Sequence, residues 1–177
     1  MGTDRDRPPG LLLSLDILVV DDPAAPRPLD TAASALERLG WIGRPVVLAG
    51  HQLIGRRLPE APEDRITWVR STFDSPGLAV AAFDEPEPER AGAALDRRTV
   101  EAWTALRREW AARWLLTSRA ASVGPARRAG LSVVRIGPRE SGGRGAIERA
   151  DREARDLLDA VSQLLAGDAF APTETNG

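Results

Sequence analysis

Residues 11–20, Leu-Leu-Leu-Ser-Leu-Asp-Ile-Leu-Val-Val, decide the fold class of this chain. They form a continuous apolar run that only Ser14 and Asp16 interrupt. A run of this kind is typical of a strand that is buried on both faces, as the strands of parallel sheets are. The stretch therefore predicts a buried parallel strand with two polar positions, one residue apart.

Strand and helix signals alternate along the rest of the chain. Further strands are predicted at residues 44–50, 78–83, 114–117 and 132–136. Helices are predicted at residues 30–39, 53–58, 99–112 and 123–129. Asp30 can cap the first of these helices and Gly40 can end it. The alternation predicts an α/β fold: a three-layer, Rossmann-like parallel sheet with helices on both faces.

The last helix is predicted from an apolar stripe at helical spacing. The stripe consists of Ile147, Ala150, Ala154, Leu157, Leu158, Val161 and Leu165. Glu148 with Arg152, and Asp151 with Arg155, have the spacing of exposed i,i+4 ion pairs on such a helix. We therefore expect one helix from Ile147 to Leu165, packed against the sheet. The predicted domain is residues 11–167, between a disordered N-terminus (1–10) and a disordered tail (168–177).

The composition excludes several classes of function. The chain has 177 residues, a net charge of −2 and no Cys, and all 24 of its basic residues are Arg. Thiolate catalysis and lysine Schiff bases are therefore excluded. The pI of about 5.6 argues against nucleic-acid binding. No apolar run approaches the roughly 20 residues that a membrane helix needs. We expect a cytoplasmic protein with neither a nucleic-acid nor a membrane partner.

Ligands of open parallel sheets bind beyond the carboxyl ends of the strands. The predicted strand ends place four groups of residues around one crevice. These groups are Ser14 to Asp22, Gly50 with His51, Asp84 with Glu85, and Thr117 to Ser122.

Three segments resemble the haloacid-dehalogenase-like (HAD-like) phosphohydrolases. Residues 11–19, Leu-Leu-Leu-Ser-Leu-Asp-Ile-Leu-Val, are similar to the first motif, a hydrophobic strand followed by Asp-x-Asp-Gly-x-hydrophobic. Residues 44–51, Arg-Pro-Val-Val-Leu-Ala-Gly-His, resemble the strand that leads to the second motif. Residues 114–131, Trp-Leu-Leu-Thr-Ser-Arg-Ala-Ala-Ser-Val-Gly-Pro-Ala-Arg-Arg-Ala-Gly-Leu, resemble the fourth, Gly-Asp-x-x-x-Asp followed by Ala-x-x-Ala-Gly. The resemblance spans about residues 11–166 and implies a HAD-like fold without a cap domain.

The resemblance also places the family's catalytic positions on residues that lack the family's charges. The nucleophilic Asp falls on Ser14, whereas the acid/base Asp is retained as Asp16. The Thr or Ser that holds the phosphoryl group falls on Gly50, and the two magnesium-binding carboxylates fall on Ser118 and Ser122. Because Mg²⁺ prefers carboxylate oxygens, these changes together imply that no metal cofactor is held.

Two further positions complete this interpretation. The third-motif Lys falls on Glu85, a reversed charge. His51, the only imidazole, and Arg119 lie at the crevice, and with Gly50 and Ser118 they are candidates for binding phosphate. We expect a catalytically degenerate HAD-like domain that serves as a binding or assembly module. Its partner would be another protein or a second copy of the chain.

Two alternatives remain open at the level of sequence. One is a weak Mg²⁺-dependent phosphohydrolase that uses Asp16 with one of Asp21, Asp22 or Asp84. The other is an atypical signalling domain, since residues 16–23, Asp-Ile-Leu-Val-Val-Asp-Asp-Pro, resemble the opening of response-regulator receivers. That resemblance makes Asp21 and Asp22 the acidic pair, Asp84 the phosphoacceptor and Thr117 the switch hydroxyl.

The two folds make different spatial predictions. A HAD-like fold places Ser14 beside Ser118 at the ends of adjacent strands. A receiver places Asp21, Asp22 and Asp84 within reach of one metal ion.

Overall fold

A computed structural model describes residues 10–14, 17–20, 27–41, 46–49, 78–79, 93–137 and 149–167. These residues form strands and helices in alternation. The strands are β1 (Leu11–Ser14), β2 (Val19–Val20), β3 (Arg27–Pro28), β4 (Val46–Ala49), β5 (Leu78–Ala79), β6 (Trp114–Thr117), β7 (Ser132–Ile136) and β8 (Arg152–Ala154). The helices are α1 (Asp30–Trp41), α2 (Ala93–Glu109), α3 (Ala120–Arg128) and α4 (Leu157–Ala166).

Six of these strands form one parallel sheet in the order β5-β4-β1-β6-β7-β8. Counted along the chain, this is the order 3-2-1-4-5-6 of the doubly wound Rossmann folds. Receiver domains have the order 2-1-3-4-5 instead. In a receiver, the first strand lies between the second and third strands of the sheet, counted along the chain. Here β1 lies between β4 and β6, the second and fourth, so the sheet order contradicts the receiver alternative.

The sheet separates two apolar layers. On one face, Leu11 and Leu13 of β1 pack with α1 and α4, and on the other face Leu12 packs with α2 and α3. All three leucines are fully buried, as a strand covered on both faces requires. The predicted three-layer Rossmann-like fold is confirmed. Every described element belongs to this sheet, to its helices or to the β2–β3 hairpin, so the described residues contain no cap domain.

The sequence predicted one strand from the apolar run at residues 11–20, and this prediction is wrong. β1 ends at Ser14, and the chain turns at Ile17 and Leu18 before β2 pairs antiparallel with β3. Ile17 and Leu18 are buried against the α1–α4 layer. Burial in that layer makes the segment apolar without requiring an extended conformation.

The predicted helix from Ile147 to Leu165 is also wrong in its first half. Residues 152–154 form β8 at the edge of the sheet, and the helix begins only at Leu157. Hence neither Asp151 nor Arg152 lies on a helix. Asp151 pairs with Arg127, and Arg155 pairs with Asp159, whereas Glu148 lies outside the described residues. Leu157 and Val161 are buried in the α1–α4 layer, so the prediction that this helix packs against the sheet is confirmed.

The remaining boundaries differ by a few residues or lie outside the described part of the chain. The helix predicted at residues 53–58 and the two disordered termini fall largely on undescribed residues, and the domain limits stay predictions. Gly10, the last residue of the predicted N-terminal segment, is buried, and its N–H donates to the Trp110 carbonyl at 2.8 Å. Within the described ranges, no helix has the length and apolar character needed to span a membrane.

Candidate functional site

Ser14 is the last residue of β1 and lies at the carboxyl edge of the sheet, which we define as the edge where the parallel strands end. It is fully buried between β4 and β6. Because side chains alternate along a strand, Ser14 faces the same layer as Leu12, the layer of α2 and α3. Among the described residues, its hydroxyl makes no hydrogen bond.

Thr117 ends the neighbouring strand β6 and faces the same layer. The last register pair of the two strands is Leu13 with Leu116, so Ser14 and Thr117 are the next residues along each strand. Thr117 is fully buried, and its Oγ1 accepts a hydrogen bond from the Arg119 N–H at 3.1 Å. The two buried hydroxyls thus lie on one face of adjacent strand ends.

Helix α3 begins directly after these strand ends. Arg119 is its N-cap residue, with φ −84° and ψ 115°, and no side chain caps the helix. Ser122, in the first turn, is buried, and its N–H donates to the Arg119 carbonyl at 3.2 Å. Ser118 is exposed and Arg119 is half-buried. Ser14 and Ser118 therefore lie at the ends of adjacent strands, which is the arrangement that a HAD-like fold predicts.

Several predicted site residues cannot be placed. They are Asp16, Asp21, Asp22, Gly50, His51, Asp84 and Glu85, and all of them lie outside the described residues. The roles predicted for them, as well as those of Ser14, Ser118 and Arg119, stay predictions.

Two carboxylates at the carboxyl edge were not predicted as part of it. Asp156 and Asp159 follow β8, and both bind backbone N–H groups at the start of α4. Asp156 Oδ1 accepts from the Asp159 N–H at 2.8 Å, and Asp159 Oδ2 accepts from the Arg155 N–H at 3.0 Å. The spacing of the two residues is that of a capping motif, which would have revealed them in the sequence.

These hydrogen bonds have an electrostatic consequence. The bond from the Arg155 N–H, and after it the bond from the Gln163 side chain, lower the pKa of Asp159 from its ordinary value of 3.8. Asp159 therefore stays ionised as a helix cap. Within the described ranges, no three His, Asp or Glu side chains form a group that could hold a metal ion.

The chemistry of the strand ends around Ser14 is that of neutral hydroxyls. Ser14, Thr117, Ser118 and Ser122 can donate and accept hydrogen bonds, but at neutral pH they supply no negative charge. Mg²⁺ needs carboxylate oxygens to displace its water ligands, so these side chains do not fit a magnesium ion.

No protein-family model and no curated protein matches this chain. Solved structures do match it. A D,D-heptose 1,7-bisphosphate phosphatase from B. bronchiseptica, complexed with magnesium and phosphate, superposes with a TM-score of 0.64 at 17% identity, over 90% of this chain and 99% of that one. The corresponding phosphatase from Burkholderia thailandensis gives 0.63 at 15% identity, over 89% and 99%.

A HAD family hydrolase from Deinococcus radiodurans R1, with bound phosphate and sodium, gives a TM-score of 0.54 at 14% identity, over 83% of this chain and 63% of that one. The strand order and the layers define a doubly wound α/β protein. The superpositions narrow this class to one fold: the chain has the haloacid-dehalogenase-like fold.

Proposed function

We propose that this chain is a catalytically degenerate HAD-like domain that acts as a binding or assembly module. The fold supports a phosphatase-like domain. The proposal is that its carboxyl edge has lost the charged side chains that catalysis needs. The main support for the proposal is Ser14. The family resemblance expects a nucleophilic carboxylate at the end of β1, and this position holds a buried, neutral hydroxyl.

A serine at this position is a poor replacement for the carboxylate. A hydroxyl attacks phosphorus efficiently only when a neighbouring base removes its proton. The chain has no Lys, and its single His is His51. No described side chain accepts a hydrogen bond from the Ser14 hydroxyl, so within the described residues no base is positioned to activate it. Loss of a covalent nucleophile typically lowers the rate about 10⁴- to 10⁶-fold.

The hydroxyls at the carboxyl edge still suit ligand binding. Ser118 is exposed beside the amino end of α3, where backbone N–H groups and the helix dipole favour oxygen-rich ligands. A hydroxyl contributes one donor and two acceptor sites without needing a metal ion. Binding at this edge would therefore survive the loss of turnover.

The test is the hydrolysis of p-nitrophenyl phosphate in the presence of Mg²⁺. We expect the purified chain to release no more nitrophenol than a buffer blank. Asp16→Asn is the matched control, since it removes the one retained catalytic carboxylate. Magnesium-dependent turnover that Asp16→Asn abolishes would contradict the proposal. It would favour instead the weak phosphohydrolase in which Asp16 acts with Asp21, Asp22 or Asp84.

Calorimetry with Mg²⁺ tests the metal separately from turnover. We expect the native chain to bind Mg²⁺ no more tightly than about millimolar, since few carboxylates remain at this edge. The double change Ser14→Asp and Ser118→Asp replaces two of the missing carboxylates and should bind Mg²⁺ more tightly. Micromolar binding by the native chain would instead point to the acidic residues Asp21, Asp22 and Asp84.

A further inference from the structure

Arginine side chains are concentrated at the amino edge of the sheet, the edge opposite the candidate site. The basic edge, as we define it, consists of Arg107 and Arg108 in the last turn of α2, Arg127 in the last turn of α3, and Arg149, which precedes β8. All four residues are exposed. These helices run antiparallel to the strands, so their C-termini lie where the strands begin.

Hydrogen bonds hold the basic edge together as one surface. Arg107 Nη1 donates to the Ala129 carbonyl at 3.4 Å, which joins the end of α2 to the end of α3. Arg127 Nη1 donates to the Arg149 carbonyl at 3.0 Å, which joins α3 to the segment before β8. The guanidinium groups of Arg107 and Arg127 are therefore positioned by the fold.

The acidic residues of this region do not neutralise the basic edge. Asp151 pairs with Arg127 at 3.5 Å, and its other oxygen accepts a hydrogen bond from the Val133 N–H at 2.8 Å. Glu109 is exposed next to Arg108. Among the described residues, four guanidinium groups against these two carboxylates leave the surface positive, although the whole chain has a net charge of −2.

The compensating negative charge lies in the first half of the sequence. Residues 1–92 contain 10 Arg and 15 Asp or Glu, a net charge of −5, whereas residues 93–177 contain 14 Arg and 11 Asp or Glu, a net charge of +3. The densest acidic segment is residues 84–89, Asp-Glu-Pro-Glu-Pro-Glu, with four carboxylates in six residues. This segment lies outside the described residues and precedes α2 in the chain.

The orientation of α2 favours binding of the acidic segment to the basic edge of a second molecule over binding to the basic edge of its own molecule. The acidic segment precedes the first residue of α2, Ala93, whereas Arg107 and Arg108 lie in its last turn. A helix of 17 residues separates its two ends by about 25 Å. A second copy can place its acidic segment on the basic edge directly, and the resulting contact is head-to-tail.

We propose that the basic edge binds the acidic segment 84–89 of a second copy of this chain, in a head-to-tail contact. Guanidinium groups bind carboxylates with two parallel hydrogen bonds, and the two prolines reduce the conformational entropy lost when the segment binds. A nucleic acid fits less well, since a long polyanion would also meet the acidic remainder of the molecule. The basic edge lies at the opposite edge of the sheet from Ser14, and the contact does not require the carboxyl edge to have catalytic activity.

The test is a charge swap monitored by sedimentation velocity. The native chain should self-associate in about 10 mM salt, where the Debye length is about 30 Å, and dissociate in about 1 M salt, where it is about 3 Å. Arg108→Glu with Arg149→Glu should weaken the association about tenfold or more. Glu87→Arg with Glu89→Arg, in the same acidic segment, should do the same. An equimolar mixture of the two double variants should associate more tightly than either variant does alone, since each then meets an opposite charge.

The matched control is Arg97→Glu with Arg155→Glu. It changes the net charge by the same amount as the basic-edge variant, but both residues are exposed near the carboxyl edge. This control should associate like the native chain. A monomeric native chain at low salt, or a mixture that fails to associate, would overturn the proposal. A third result would also overturn it. If the monomer bound a single-stranded oligonucleotide and Arg108→Glu with Arg149→Glu abolished that binding, the basic edge would be a nucleic-acid site.

Discussion

The two edges of the sheet use polar side chains in opposite ways. At the carboxyl edge, hydrogen bonds are local: Thr117 accepts from a residue two positions away, and Asp156 from one three positions away. At the amino edge they join distant elements: Arg107 and Arg127 each reach a carbonyl 22 residues away, and Arg152 reaches one 11 residues away. In the described residues, the arginine side chains of the amino edge therefore tie distant elements together, whereas the side-chain bonds of Thr117 and Asp156 complete their own turns.

Arg152 illustrates the amino edge best. Its Nη1 donates to the Gln163 carbonyl at 2.9 Å, near the end of α4. Its guanidinium carbon lies 5.0 Å from the centre of the Trp114 ring, at the start of β6. One side chain thus links β8, β6 and α4. Stability that is concentrated at this edge leaves the residues of the other edge free to differ between proteins of the same fold.

The largest effect should come from placing a charge at the carboxyl edge. Ser14→Asp buries a carboxylate for which no described cation is a partner, and it should destabilise the fold by about 3–5 kcal/mol at neutral pH. Burial should raise the pKa of this carboxyl group, so the loss should be smaller in acid than at pH 7. Urea denaturation at the two pH values measures it. A variant as stable as the native chain would mean that the edge is solvated.

Removal of Arg152 should have the next largest effect. Arg152→Ala eliminates a charged hydrogen bond and a cation–π contact and should cost about 2 kcal/mol. Arg155→Ala is the control, since Arg155 is exposed and its ion pair with Asp159 spans one helical turn, so that change should cost less than about 1 kcal/mol. Equal losses in chemical denaturation would show that the amino edge does not tie the elements together.

Removal of the two buried hydroxyls of the carboxyl edge, one at a time, should have smaller and unequal effects on stability. Thr117→Val keeps the shape but removes the acceptor of the Arg119 N–H, and it should cost about 1 kcal/mol. Ser14→Ala removes a buried hydroxyl with no described partner, and it should be neutral or slightly stabilising. Thermal melts of the two variants provide the comparison. If the order were reversed, Ser14 would have a partner among the undescribed residues.

The smallest effect should be the acid dependence of the α4 cap. Because the pKa of Asp159 is lowered in the folded chain, its contribution is fully present above the ordinary pKa of 3.8. It is lost as the pH falls through the lowered value. Urea midpoints of the native chain and of Asp159→Asn should therefore differ at pH 6 and converge below about pH 3. A difference that did not change with pH would mean that the charge of Asp159 does not contribute to stability.

Much of the sheet could be predicted because its signals are local. β6 and β7 have the predicted limits, since each is a short apolar run bounded by polar or small residues. The adjacency of Ser14 and Ser118 followed from a family pattern that specifies which strand ends meet.

The errors arose where tertiary contacts override local pattern. β8 has the sequence Arg-Glu-Ala, which has no strand preference, and it is fixed in the sheet through neighbouring Asp151. The Asp151 N–H donates to the Val133 carbonyl at 3.0 Å, and its carboxylate accepts from the Val133 N–H. An apolar spacing that suited a helix concealed this strand. The caps Asp156 and Asp159 were missed for the same reason.

The position of α4 in the sequence has a consequence for the protein during its synthesis. Leu157, Val161 and Leu164 cover the face of the sheet on which Leu11 and Leu13 lie, at the opposite end of the chain. A ribosome makes the N-terminal residues first, so this central apolar face is without that cover until residues 157–164 have left the exit tunnel. Nascent chains with exposed apolar surface are the ones that aggregate or engage chaperones. Ribosomes stalled before Leu157 should therefore carry a chain that chaperones hold, and release should follow only once α4 has left the exit tunnel.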